Sequence, residues 1–394
     1  MTQASSGAAG QSAAELILAA DRSAERGDIR GARALLERAT AENGAPPDSW
    51  LKLAAMCKAG GDDAAAERAV DGALRSDPLH FVALLFKASL MERAGNPRAG
   101  EAYGNALAQR PAGALPAQMS ATVAHAEAVH RAHIAEADKR FGVAMAPFEK
   151  RASADEARRM ARFRSNALRL TRPYHSEPTH FHYPGLVERE FHDRAGFPWL
   201  LALEHACDAI LAEFHAVMAA EHALLEPYIQ YPAEVPLRQW KALNRSRNWT
   251  AIHLWKDGRR VEENARHCPR TMAVLEQIPQ PRAAGCSPNA MFSLLAPRTT
   301  IPPHVGVNNT RLVCHLPLIV PDHCWFRVGA ETRSWTPGEA FVFDDTIEHE
   351  AANGSEALRV VFIIDVWHPD LSPVERDAVS AMLAAGQGGP NAGL

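Results

Sequence analysis

MFSLLAPRTTIPPHVGVNNTRLVCHLPLIVP (291–321), CWFRVG (324–329), SWTPGEAFVFDDTIEHE (334–350) and LRVVFIIDVWHPDL (358–371) read as one unit. Each piece holds a short apolar or alternating run, and Pro, Gly, Asn or Asp punctuates the runs. Strands of an antiparallel barrel or a double-sheet jelly roll read this way. His304 and His349 stand at the ends of two runs, and Arg359 enters the last run ten positions after His349.

Outward from this unit, composition sets bounds. A chain of 394 residues is long enough for two or more domains, each with its own core. The formal net charge of -4 argues against a general nucleic-acid binder and gives no support for a polybasic membrane contact. The opening MTQASSGAAGQSAAELILAA lacks a basic leader, and its apolar run is too short to span a bilayer. A cytoplasmic protein with no integral membrane segment is therefore expected. Cys57, Cys207, Cys268, Cys286, Cys314 and Cys324 include no CxxC pair, so neither a disulfide framework nor a zinc ribbon is indicated.

The first part of the chain repeats itself. Gly27, Gly61 and Gly95 recur at 34-residue steps within ERGDIRGA, KAGGDDAA and RAGNPRAG. Behind the first glycine, Ala32, Leu35, Leu36 and Ala39 keep helical spacing. A 34-residue helix–turn–helix period is that of tetratricopeptide repeats. Such arrays offer a concave surface to a protein or peptide, or serve as a helical prop for the next domain. The expected organisation is a disordered tail (1–12), a repeat domain (13–111), a helical linker (112–180), a second domain (181–375) and a C-terminal helix and tail (376–394). Within the second domain a helix is expected over 198–222. A strand follows, with Trp249, Ala251, His253 and Trp255 on one face up to the Asp257–Gly258 turn.

Ferrous oxygenase sites combine two histidines with one carboxylate and leave positions open. Where a carboxylate would share the strand face of His304, two residues on, this chain has Gly306. HVGVNNTRLVCHLPLIVP, the W-x-x-G turn from Trp335 to Gly338, FDDTIEHE and RVVFIIDVWHPDLS together resemble the aspartyl/asparaginyl beta-hydroxylase family, over roughly half the chain. That family also has glycine at the position of Gly306. The resemblance implies an α + β multidomain protein whose second domain is a double-stranded β-helix (jelly roll, cupin-like) with flanking helices. It implies Fe(II) on His304 and His349 without a protein carboxylate, and 2-oxoglutarate held by Arg359, whose guanidinium suits bidentate pairing with a carboxylate. Ser293 would bond the same carboxylate, and His315 would lie near the keto-acid end or the substrate. Family members often carry arginine where this chain has Val313; Arg311 remains, and with Asn309 is the candidate for reading substrate. Asp344 and Asp345 read as turn residues that orient the site.

The resemblance implies a dioxygenase that consumes O2 and 2-oxoglutarate and hydroxylates an unactivated C–H bond, of an Asp/Asn-type residue in a protein or peptide. A small molecule, either a free amino acid or an acyl chain, is the rival substrate. A non-catalytic interaction protein built on the repeats is the rival of another class.

Overall fold

A computed structural model of the chain describes residues 11–41, 45–220, 224–232, 234–283 and 285–385. Contacts divide it into two compact units, Met1–Leu168 and Arg169–Leu394.

In the first unit, helix α1 (Ala13–Glu25) packs on α2 (Ile29–Thr40), α3 (Pro47–Ala59) on α4 (Asp63–Ser76), and α5 (Phe81–Arg93) on α6 (Ala99–Leu107). Local chemistry explains the boundaries. Ser12 and Glu15 form a capping box on α1, and the Asp28 and Asp62 side chains accept from the first turns of α2 and α4. Gly27, Gly61 and Gly95 join the paired helices at φ of +79°, +80° and +66°. Buried alanines, among them Ala54, Ala66, Ala69 and Ala73, let the helices approach closely. The 34-residue period is thus three helical hairpins in succession. Helix α7 (Ser120–Glu149) packs on α6, and α8 (Ala154–Ala167) folds back on α7. Both group with the hairpins, so the stretch 112–180 is divided between the units instead of lying between them. Of the expected N-terminal tail, 1–10 lies outside the described residues, and Ser12 is an ordered cap.

The second unit holds α9 (Leu200–His205), α10 (Cys207–Ala219), α11 (Glu262–Ala265), α12 (Pro269–Leu275) and α13 (Pro373–Ala385). The helix expected over 198–222 is therefore two, divided at Ala206. The strands are β1 (Glu226–Pro227), β2 (Trp249–Lys256), β3 (Arg259–Arg260), β4 (Ala290–Leu295), β5 (Thr299–His304) and β6 (Arg311–Ile319). They continue with β7 (Cys324–Val328), β8 (Glu331–Arg333), β9 (Phe341–Phe343), β10 (His349–Asn353) and β11 (Arg359–Trp367). Two antiparallel sheets result. The larger runs β1-β2-β4-β11-β6-β9 with β3 beside β2, and the smaller runs β5-β10-β7-β8.

Alternation sorts the larger sheet's side chains into two layers. Ile252, Leu254, Phe292, Leu294, Cys314, Leu316, Phe362 and Ile364 pack against Leu203, Ile210, Phe214 and Met272 of the helices. Trp249, Ala251, Met291, Val313, Val361 and Ile363 face the smaller sheet's Ile301, Phe326, Val328 and Ala351. Strict alternation fails where the register shifts, at His253–Trp255 and at Val360–Val361. A register shift between His253 and Trp255 turns Trp255 to the helix side, away from Trp249 and Ala251.

The helical hairpins generate one prediction. No atom lies within 4 Å of a Cβ placed on Gly61, so only its left-handed backbone opposes a side chain. Gly61→Ala should cost about 1–2 kcal/mol, read as a lower urea midpoint by far-UV circular dichroism. An unchanged midpoint would mean that the turn is not held left-handed.

Candidate active site

Strand pairing makes the first feature. β10 runs antiparallel to β5, and His349 is the direct cross-strand partner of His304. Their ring centroids lie 4.0 Å apart. Each ring is held by its own chain: His304 Nδ1 pairs with the Pro302 carbonyl at 2.8 Å and His349 Nδ1 with the Ile347 carbonyl at 3.1 Å. A carbonyl only accepts, so Nδ1 carries the proton and each Nε2 keeps its lone pair. Burial keeps both imidazoles neutral, His304 well below the usual histidine range and His349 pushed down to about 4. Two fixed, neutral nitrogen donors side by side fit a divalent metal. Among the described residues no three His, Cys, Asp or Glu side chains form a metal cage.

The pair opens on a chamber of about 780 Å3 between the sheets. Ser293, His315 and Arg359 line it from the larger sheet. Arg359 is only 2 % exposed. Among the described residues its side chain has no hydrogen bond or ion pair, and Nε is a buried donor without a partner. Its guanidinium lies 5.0 Å from the centre of the Trp335 ring, and burial pulls its pKa down to about 10. A buried cation without an anion is costly, so this end of the chamber is made for a carboxylate or a similar anion. Trp249 Nε1 donates to Ser293 Oγ at 3.0 Å, which leaves the serine hydroxyl free to donate in turn. Trp335 Nε1 meets His315 Nδ1 at 3.4 Å and fixes that ring as well. The residues named from the sequence as metal and co-substrate ligands therefore share one chamber.

Comparison with known proteins gives the family. The family model described as aspartyl/asparaginyl beta-hydroxylase matches residues 204–369. The ornithine lipid ester-linked acyl 2-hydroxylase of Rhizobium tropici is 33% identical over 201 residues, covering 50% of this chain and 67% of that protein. The chain belongs to the aspartyl/asparaginyl beta-hydroxylase family. The human aspartyl/asparaginyl beta-hydroxylase is 37% identical over 142 residues, 36% of this chain and 18% of that protein. The chain spans about a fifth to about half of the first such relatives. A solved structure of the Yersinia enterocolitica type III secretion chaperone SycD with a translocator peptide covers 31% of this chain and 92% of its own. Its TM-score of 0.28 and identity of 14% carry no argument.

Arg311 and Asn309, the candidates for reading substrate, lie outside the chamber lining. Arg311 is held in a buried ion-pair network. It is 2 % exposed, its Nη2 donates to Asp345 Oδ2 at 3.1 Å, and its Nη1 lies 3.5 Å from Asp365 Oδ1. Asn309 is a structural clamp: its amide accepts from the Tyr183 backbone N–H and donates to the Tyr183 carbonyl.

Gly306 has a precise use here. A Cβ on it would fall 2.2 Å from Asp345 Oδ2. The carboxylate arriving from the loop before β10 thus fills the space a side chain at 306 would take. Asp345 also accepts the Gly306 N–H on its carbonyl at 2.7 Å. Its Oδ1 is buried without a hydrogen-bond partner.

Several chamber residues escaped the sequence reading. Tyr228 stacks on Trp249 at 3.8 Å, and Trp240 sets its edge on His304 at 4.8 Å. Both come from 226–245, where a two-residue strand and a single 3-10 helix (Arg238–Ala242) are too short to show a period. Trp249 and Trp335 did carry a signal, the first in a period-two strand and the second in the W-x-x-G turn.

The two buried arginines should respond oppositely to removal. Arg311→Met strands two carboxylates and should cost about 3–5 kcal/mol. Arg359→Met removes an unpaired charge and should leave the ligand-free protein about 1–4 kcal/mol more stable. Urea denaturation of both variants checks this; equal losses would show that Arg359 has a counter-ion in solution.

Proposed function

We propose that this chain is an Fe(II)/2-oxoglutarate-dependent hydroxylase, with iron on His304 and His349 and the co-substrate's distal carboxylate on Arg359. On this reading the two sheets are the halves of a double-stranded β-helix, and the substrate is an Asp/Asn-type residue of a protein or peptide. The unpaired, buried guanidinium of Arg359, facing two neutral imidazoles with free Nε2 lone pairs, carries the reading.

When bound, iron together with 2-oxoglutarate and O2 supplies the oxidising power for C–H hydroxylation, with release of succinate and carbon dioxide. The protein's own residues supply position. The Pro302 and Ile347 carbonyls hold the two rings by Nδ1 and leave both Nε2 atoms for the metal. Ser293, oriented by Trp249, adds a second donor beside Arg359 for the same carboxylate. Met291, Val313 and Ile363 add apolar lining to the chamber, which disfavours water there. His315, neutral through burial, offers its Nε2 to the keto-acid end. The helical hairpins of the first unit give a polypeptide substrate, or a partner, a second surface to hold.

An acyl chain is the second reading. Val235, Pro236, Leu237, Val305 and Val307 add apolar lining to the chamber, and the Rhizobium tropici relative is named for acyl 2-hydroxylation. A screen of Asn and Asp peptides against acyl substrates, scored by coupled succinate release, separates the two.

The core proposal is tested without a substrate. Anaerobic addition of Fe(II) and 2-oxoglutarate should give the metal-to-ligand charge-transfer band, and air should then release succinate slowly. His349→Ala should lose both signals. Arg359→Met should retain metal and raise the KM for 2-oxoglutarate on the order of a hundredfold or more, as truncating one side of a buried charge pair does. A wild-type protein that binds neither metal nor 2-oxoglutarate would sink the proposal.

A further inference from the structure

One wall of the chamber continues into a cationic segment. LRQWKALNRSRNW, residues 237–249, contains Arg238, Lys241, Arg245 and Arg247 and no acid, in a chain whose net charge is -4. All four side chains are exposed. None makes an ion pair or a side-chain hydrogen bond among the described residues. The same segment walls the site. Leu237, Arg238, Gln239 and Trp240 line the chamber, and Trp240 touches His304. The segment is tied down rather than loose. Arg245 N donates to the Ile229 carbonyl at 2.8 Å, and the Asn244 amide clasps Tyr231 N and O at 2.8 and 3.2 Å. Arg238 and Arg245 sit on left-handed backbone, at φ of +42° and +55°. Non-glycine residues held there are strained, and such strain concentrates at binding and catalytic sites.

We propose that this cationic rim docks an acidic stretch of the polypeptide that carries the hydroxylated residue. The inference rests on the polypeptide reading above. Like charges held unpaired at an opening attract the opposite charge and raise the encounter rate. Inside, Arg359 is committed to the co-substrate, so acidic groups of the substrate find their partners at the rim. Thr179, Gln230 and Gln239, which also line the chamber, can pair with the amides of an extended chain. A polypeptide fits better than a lipid surface because Glu234 is exposed on the same loop, four residues before Arg238. A continuous anionic sheet would have to cover that carboxylate; a chain can pass beside it.

The test uses the full-length protein and two fluorescein-labelled peptides with a Gly-Asn-Gly core, one flanked by Glu and the other by Gln. Anisotropy at low salt should show the Glu-flanked peptide binding about tenfold or more tighter. The preference should vanish at about 0.5 M salt, and in Arg245→Glu/Arg247→Glu and, separately, in Lys241→Glu. Far-UV circular dichroism and the Fe(II)–2-oxoglutarate band of the variants check that fold and chamber are intact. Equal binding of the two peptides, or variants that keep the preference, overturns the inference. Binding to anionic phosphatidylglycerol vesicles with no peptide preference overturns it in favour of a lipid surface. Rim-dependent peptide binding by a wild-type protein that releases no succinate would leave the rim standing and remove the hydroxylase reading instead.

Discussion

The buried ion pair between Arg311 and Asp345 holds the two sheets in the arrangement the site needs. Arg311 rises from the larger sheet, and Asp345 sits on the loop that leads into β10 of the smaller one. From that loop, the Asp345 carbonyl takes the Gly306 N–H just after His304, and the Ile347 carbonyl takes His349 Nδ1. One guanidinium therefore fixes the end of both histidine strands. Both partners are almost fully buried, where an ion pair contributes register more than net stability, and removing one partner is far worse than never having had either. Asp365 and its donors Asn289 and Ser287 extend the same network into the core.

Arg311 and Arg359 show how context divides two identical side chains. Both are 2 % exposed and both face the space between the sheets. Arg311 meets two carboxylates and is structural. Arg359 meets an aromatic ring and a cavity, and its charge is left for something that arrives from outside. On the proposed function the fold tolerates this cost where the co-substrate binds, as binding sites commonly do. The aromatic ring of Trp335 under the guanidinium offsets part of the desolvation by a cation–π contact.

The wall supplied by 226–245 follows a different logic from the sheets. After the short strand β1 it is tied mainly by local bonds, a 3-10 turn over Arg238–Ala242, the Arg245–Ile229 backbone bond and the Asn244 side chain. Aromatic side chains anchor it: Tyr228 on Trp249, Trp240 on His304. A rigid irregular loop of this kind can place apolar groups inward and cations outward at once, which a strand buried between two layers cannot.

Much of this was legible in the residues themselves. A period of 34 with glycine at each turn determined the helical hairpins, because local sterics at a left-handed turn and small residues along the helix seams act within each repeat. Alternation and turn residues determined the strands of 291–371, and the motif around HVG, EHE and the following arginine singled out His304, His349, Ser293, His315 and Arg359. Pairing and burial decided the rest. Whether Arg311 reads a substrate or locks a loop depends on Asp345 and Asp365, which lie 34 and 54 positions away and meet it only when the two sheets close. The partner of a charge is a property of long-range contacts, and no local pattern encodes it. The bulge that turns Trp255 outward, the break at Ala206 and the aromatic wall over His304 have the same origin: each is set by what packs against the chain.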